Sequence, residues 1–211
     1  GIPILMLINN NDILNVLRVI QICDSNFPVG SFNHSYGMET YLRLNRVYNA
    51  NTFREWLNVY LKEQFIYTDA LAIKMLYEYL NDNNLRSVYE LDRLITVQCV
   101  AKESRNAGKL VASRMIKLFM ELYDIDLLKN YDEKLRKKEC FGHPALVFGM
   151  LMYSLGFNLE EAIIYHMYST ISTLISNAVR TIPLGQKDGQ ILLKEFIEEA
   201  GKLYDVVINL D

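Results

Sequence analysis

The sequence predicts an all-α fold, a single-domain helical bundle of about eight to ten helices spanning residues 1–211. Three observations lead there. Apolar residues recur at i, i+3 and i+4 along most of the chain, and strand-like alternation is hard to find. Only 10 Gly and 4 Pro punctuate 211 residues, fewer turn residues than a strand-and-turn fold needs. Hydrophobic residues make up 51% of the chain, enough at this length to build a core without disulfides or metals.

The elements follow in order. Asp12 can cap a first helix carrying Leu14, Leu17 and Ile20, broken by Pro28 and Gly30. A second helix is expected over about 32–45. Thr52 is a candidate cap for a longer helix with Trp56, Tyr60, Leu71, Met75 and Tyr79 on its apolar side, ended by the Asn-Asp-Asn-Asn loop at 81–84. The pattern from 85 to about 123 is helical again, in one or two pieces. The charged stretch 129–139 is expected to be the mobile part of the molecule. After Gly142-His143-Pro144 comes a helix apolar on nearly all sides, to about Leu155. Asn158 and Glu161 have capping-box spacing and open the clearest helix of the chain. Its stripe runs Leu159, Ala162, Ile163, His166, Thr170, Ile171, Leu174, Ala178 and Ile182. Beside it, Ser169, Ser172, Thr173, Ser176 and Asn177 are small enough to let another helix approach. Pro183 stops this helix. A last one, from near Asp188, shows Leu193, Ile197, Ala200, Leu203 and Val207 on one side.

Composition excludes several functions. The net charge of -3 leaves no footprint for nucleic acid. The apolar run at 145–157 is too short to span a bilayer, and no signal peptide is evident. Residues 1–5 read as a vector-derived remnant ahead of a natural start at Met6. Cys23, Cys99 and Cys140 lie far apart with no CxxC pair, which suits a reducing cytoplasm and argues against a thiolate metal site. The 14 Tyr and 9 Phe supply core packing and could also furnish a protein-binding surface.

Catalytic signatures are missing. There is no GxxxxGK[ST] loop, so the chain is not expected to bind or hydrolyse a nucleotide alone. His34, His143 and His166 are scattered, without HxH or HExxH spacing, and are not expected to form one joint metal site. His166 reads as a hydrogen-bonded core histidine. Asn33-His34-Ser35-Tyr36-Gly37 is a partial GxSxG, but it lacks the first Gly and the strand a nucleophile elbow needs. No catalytic, cofactor-binding or metal-binding residue is assigned. A helical enzyme with a site assembled around His34, Glu39 and Glu103 is the alternative reading.

Three segments carry a specific resemblance. Cys23-Asp24-Ser25-Asn26-Phe27-Pro28-Val29-Gly30-Ser31-Phe32-Asn33-His34-Ser35-Tyr36-Gly37-Met38-Glu39 is similar to the amino-terminal signature of the UreF family of urease accessory proteins. Lys102-Glu103-Ser104-Arg105 resembles the family's central E-[ST]-R. Arg180-Thr181-Ile182-Pro183-Leu184-Gly185-Gln186-Lys187-Asp188-Gly189-Gln190 resembles its R-x-x-P-L-G-Q-x-x-G-Q. Lys187 and Asn33 depart slightly from the usual residues. The three stand in the family's order across nearly the whole chain. The resemblance implies a cytoplasmic, non-enzymatic all-α protein that dimerises. It implies partners UreD (or UreH), the GTPase UreG and apo-urease, with nickel handled by the complex. With such a partner, Arg105, Arg114 and Arg180 are the candidates for action on the GTPase in trans. On this reading Phe32, His34, Ser35, Glu39, Glu103, Arg105, Arg180, Pro183, Leu184, Gly185, Gln186 and Gln190 are the partner-binding candidates. The 180–190 segment is read as a docking element, with Leu184 its apolar anchor and Gly185 giving the turn.

Overall fold

In a computed structural model the described residues are 10–24, 38–98 and 102–211, and among them every regular element is helical. The order is α1 (Asn10–Cys23), α2 (Met38–Arg43), α3 (Ala50–Tyr60), a π-helical segment (Leu61–Ala70), α4 (Leu71–Asn81), α5 (Leu85–Gln98) and α6 (Lys102–Leu122). There follow α7 (Asp126–Arg136), α8 (Pro144–Ser154), α9 (Leu159–Thr181) and α10 (Gln186–Ile208). Of the helix expected over 32–45, α2 shows the described part and ends at Arg43; the residues before Met38 lie outside the described ones.

Local chemistry sets the boundaries. Asn49, not Thr52, caps α3: its side chain accepts from the Thr52 N–H at 2.9 Å, while the Thr52 hydroxyl accepts from the Asn49 N–H at 3.1 Å. Asn158 and Glu161 close the same reciprocal pair on α9, at 2.8 and 3.1 Å. His143 caps α8 by accepting the Ala145 N–H at 3.2 Å, with Pro144 in the first turn where its missing N–H costs nothing. The stretch 129–139 is not a loop. Most of it is α7, whose Leu128 and Tyr131 are fully buried, with Asp126 in the first turn and Lys134 and Arg136 in the last complementing the helix dipole. Charge density hid a short amphipathic helix.

α8 is the centre of the molecule. Residues 145–152 are all buried, and α4, α6, α7, α9 and the π-helical segment pack around it. Gly149 allows the closest approach: a Cβ there would lie 2.6 Å from Leu76 Cδ2 on α4. The α9 stripe faces this centre as expected, and α10 packs along α9. α10 buries Leu192, Phe196, Ala200, Leu203 and Val207 against the bundle, whereas Ile197 is exposed.

The α3–π–α4 run turns inward a side that only partly matches the one expected. Tyr60 is buried as expected, together with Phe53, Leu57, Ile73, Leu76 and Leu80, while Trp56, Leu71, Met75 and Tyr79 are half-buried beside them. Between them the Leu71 N–H reaches back five residues to the Ile66 carbonyl, one more than in an α-helix. The extra residue per turn shifts the register, so a 3.6-residue template cannot stay in phase across it. No described helix is long and apolar enough to cross a membrane.

Candidate functional site

Two carboxylates organise the interior. Asp92 on α5 is fully buried and accepts from the Tyr131 hydroxyl and from the N–H groups of Phe141, at 2.8 Å, and Gly142, at 2.9 Å. The His143 N–H donates in turn to the Tyr131 oxygen at 3.1 Å. Together these bonds tie α5, α7 and the turn before α8. Gly142 belongs there: its φ is +97°, and a Cβ would meet Leu135 Cδ2 at 2.7 Å. Burial, then the Asp92 charge and its hydrogen bond, push the Tyr131 hydroxyl well above the ordinary range, so it stays a protonated donor.

Asp69 is the second carboxylate. The π-helical segment turns it inward, where its Oδ2 lies 2.9 Å from His166 Nε2 on α9. Phe65 and Phe148 lie against the imidazole, with ring centroids 5.5 and 5.0 Å away. Burial alone would raise the Asp69 carboxyl. The His166 hydrogen bond, the charges of His143 and His166 and the Thr68 hydroxyl outweigh it and hold the group below its usual value. His143 feels the same pocket in the opposite sense. Burial is the largest effect and lowers its pKa, with Asp69 and Asp92 opposing and His166 assisting. Thus His143 and His166 share one electrostatic environment, a juxtaposition their sequence positions do not announce. Among the described residues no group of three or more His, Cys, Asp or Glu could hold a metal ion. Burial pushes the thiols of Cys23 and Cys140 up to about 12, so neither is a thiolate at neutral pH.

The 180–190 segment links the two longest helices. Ile182 leaves α9 in an extended conformation, Gly185 stands at the α10 N-cap and Gln186 begins that helix, two residues earlier than expected. Two expectations change here. Leu184 is only 3% exposed and packs into the core, so it anchors the turn from within and offers no apolar side chain to a partner. Gly185 has φ -69° and ψ 161°, open to any residue, and a Cβ there would meet nothing within 4 Å. Gly189 is the constrained glycine, with Val179 Cγ2 3.1 Å from a Cβ. Pro183, Gly185, Gln186 and Gln190 are exposed along the segment. Arg180 is exposed and donates to Asn177 Oδ1 at 2.7 Å.

The other candidates are dispersed. Phe32, His34 and Ser35 lie outside the described residues, as do the side chains of Glu39 and Glu103. Arg105 is half-buried near the start of α6, and Arg114 is exposed on the same helix. Sequence reasoning missed Asp69, Asp92 and Tyr131. The available signal was a single acidic residue within an apolar helical face, as with Asp92 beside Val88, Leu91 and Ile95 and Asp69 beside Phe65, Ile66 and Ile73.

The first helix is apolar on two sides. Val19, Ile22 and Cys23 of α1 are buried toward the domain, and α9 is its packing partner. Ile13, Leu14, Val16, Leu17 and Ile20 occupy the opposite side and are 50%, 47%, 51%, 54% and 58% exposed.

Comparison with known proteins gives a consistent result. The family model described as UreF matches residues 47–197. The urease accessory protein UreF of Streptococcus salivarius is 41% identical over 202 residues, which cover 96% of this chain and 85% of that protein. UreF of Streptococcus thermophilus is 40% identical over the same coverage. UreF of Lachnoclostridium phytofermentans is 37% identical over 199 residues, 93% of this chain and 87% of that protein.

Proposed function

The chain belongs to the UreF family of urease accessory proteins, and from that premise we propose that it is a non-catalytic scaffold for nickel insertion into apo-urease. In this reading it works in the cytoplasm as a homodimer. It bridges the accessory protein UreD (or UreH) and the GTPase UreG, and it couples GTP hydrolysis to assembly of the nickel centre. Nickel is the cargo of the complex.

The observation that carries the reading is the outer face of α1. A helix apolar on opposite sides is normally covered on both. Five large apolar side chains, each about half exposed, form a continuous patch of the kind that marks a protein-binding surface. The interior offers the complement of this. Its two buried carboxylates are committed to internal partners in the Asp69–His166 and Asp92–Tyr131 arrangements. The test is reconstitution: apo-urease, nickel, GTP and the other accessory proteins, with and without this chain. Urease activation and bound nickel should rise only when it is present. Equal nickel loading in its absence would overturn the proposal.

The 180–190 segment is a second docking element in this reading. Pro183, Gln186 and Gln190 face outward while Leu184 holds the turn in place. A Gln186→Ala, Gln190→Ala double variant should keep its circular dichroism spectrum and melting cooperativity. It should also lose at least ten-fold in partner capture, because neither side chain packs in the core. Normal capture by a folded variant would remove the segment from the docking surface.

A further inference from the structure

An open groove of about 350 Å³ lies between α5 and the end of α7, lined by Arg86, Tyr89, Arg93, Lys134 and Glu139. Arg86, Tyr89 and Arg93 share one face of α5 at i, i+3 and i+7. Lys134 lies over the Tyr89 ring, 5.2 Å from its centroid. The lining is basic although the chain carries a net charge of -3: Arg86, Arg93 and Lys134 are set against Glu139.

What fills this groove is informative. Glu139 places its carboxylate 2.8 Å from Lys134 Nζ, and its main-chain carbonyl accepts from Arg93 Nη1 at 3.1 Å. The turn that delivers it is a helix C-cap. Lys138 takes φ +60°, where glycine is usual, and the Glu139 N–H returns to the Lys134 carbonyl at 2.9 Å. The groove thus already holds one acidic residue by both its side chain and its peptide carbonyl. Those are the two acceptors an acidic peptide presents at every such position. Arg86 adds a guanidinium whose side chain is 91% exposed and whose acidic neighbour Glu90 lies 3.3 Å away.

We propose that this groove is a docking site for an acidic segment of a partner protein, whose carboxylates bind Arg86 and Arg93 and displace Glu139 from Lys134. The site is separate from the 180–190 segment, since α5 and α7 pack on α4, α6 and α8 while that segment joins α9 to α10. It does not depend on the urease reading. Arginine is suited to the task because its planar fork can grip a carboxylate through two parallel hydrogen bonds. The pairs are exposed and individually weak, so occupancy depends on several carboxylates acting together and falls with salt.

The test is fluorescence anisotropy of a fluorescein-labelled (Gly-Glu)₄ peptide with the full chain. Binding is expected at low salt and should weaken as ionic strength rises. Arg86→Glu, Arg93→Glu should reduce affinity at least ten-fold with an unchanged circular dichroism spectrum. Glu139→Gln should raise affinity about three-fold or more, because it removes the resident competitor. Glu198→Gln makes the same change in net charge on α10, away from the groove, where Glu198 pairs with Lys194 at 2.7 Å. It should change affinity less than two-fold. No binding, binding unaffected by the arginine reversals, or equal gains from the two glutamine variants would each overturn the proposal. So would a labelled oligothymidylate of equal charge that binds more tightly and responds to the same variants, which would assign the groove to nucleic acid.

Discussion

Removing the Asp92 carboxylate would strand two N–H groups and a tyrosine hydroxyl at once. Asp92→Ala is expected to cost about 3–5 kcal/mol in urea denaturation, as for other buried groups whose charged partner is deleted. Tyr131→Phe, which leaves the Phe141 and Gly142 bonds intact, should cost about 1–2 kcal/mol. A smaller loss for Asp92→Ala than for Tyr131→Phe would contradict the arrangement. His143 gives a pH dependence with a definite sign. Its folded pKa lies below the ordinary 6.5, so on acidification the unfolded chain takes up a proton that the folded chain refuses. Stability should therefore fall as pH drops below about 6.5. Asp69, whose folded pKa is also depressed, adds a further loss at more acidic pH, through and below the ordinary value of 3.8. His143→Asn keeps a cap acceptor for the Ala145 N–H and removes the titration. Its stability should change less between pH 7 and 5 than that of the native chain, which equilibrium urea unfolding at several pH values would measure.

At the scale of elements, two helical glycines should respond oppositely to alanine. Gly201 lies within α10, and a methyl group added there would meet nothing within 4 Å, so Gly201→Ala should stabilise by up to about 1 kcal/mol through helix propensity. Gly149 sits in α8, where the same methyl would lie 2.6 Å from Leu76 Cδ2, a side chain with 0% exposure. Overpacking there outweighs propensity, and Gly149→Ala should destabilise by about 1–2 kcal/mol. Thermal melts of the two variants shifting in the same direction would refute the close packing of α4 and α8. These cases also mark what the sequence can and cannot disclose. The α9 stripe and its Asn158–Glu161 cap are readable because a long helix surrounded by neighbours repeats its pattern many times. α10 is readable as a helix but only in part as a face, since Leu192 and Leu193 differ in burial and not in chemistry. Tyr60 is read correctly as inward, but beyond it the inward side of 50–81 escapes sequence reading because the π-helical segment changes the period midway. α7 resembles a mobile stretch in sequence because two buried residues, Leu128 and Tyr131, carry its packing amid many charges. The Asp69–His166 pair brings together positions 97 residues apart, and no local pattern encodes that.

For the molecule as a whole, the apolar residues of α1 have two destinations, and only one is inside the domain. Val19, Ile22 and Cys23 settle on the bundle. Ile13, Leu14, Val16, Leu17 and Ile20 make a ridge on the far side, half exposed at each position. Completing the burial of a half-exposed aliphatic side chain is worth about 1 kcal/mol, so the ridge offers about 5 kcal/mol to whatever covers it. That is too little to fix a complex alone against the cost of association, yet enough to decide between a weak and a stable one. Because these side chains contribute little to the folded monomer, polar replacements there should separate folding from assembly. Leu17→Lys, Ile20→Lys is expected to shift the melting temperature by no more than a few degrees. In sedimentation and co-purification it should abolish self-association or reduce accessory-partner capture by ten-fold or more. A double variant that stays folded, sediments as the native chain does and captures every partner normally would show that the ridge is idle. Loss of cooperative melting would instead mean that the outer face of α1 packs against the chain itself.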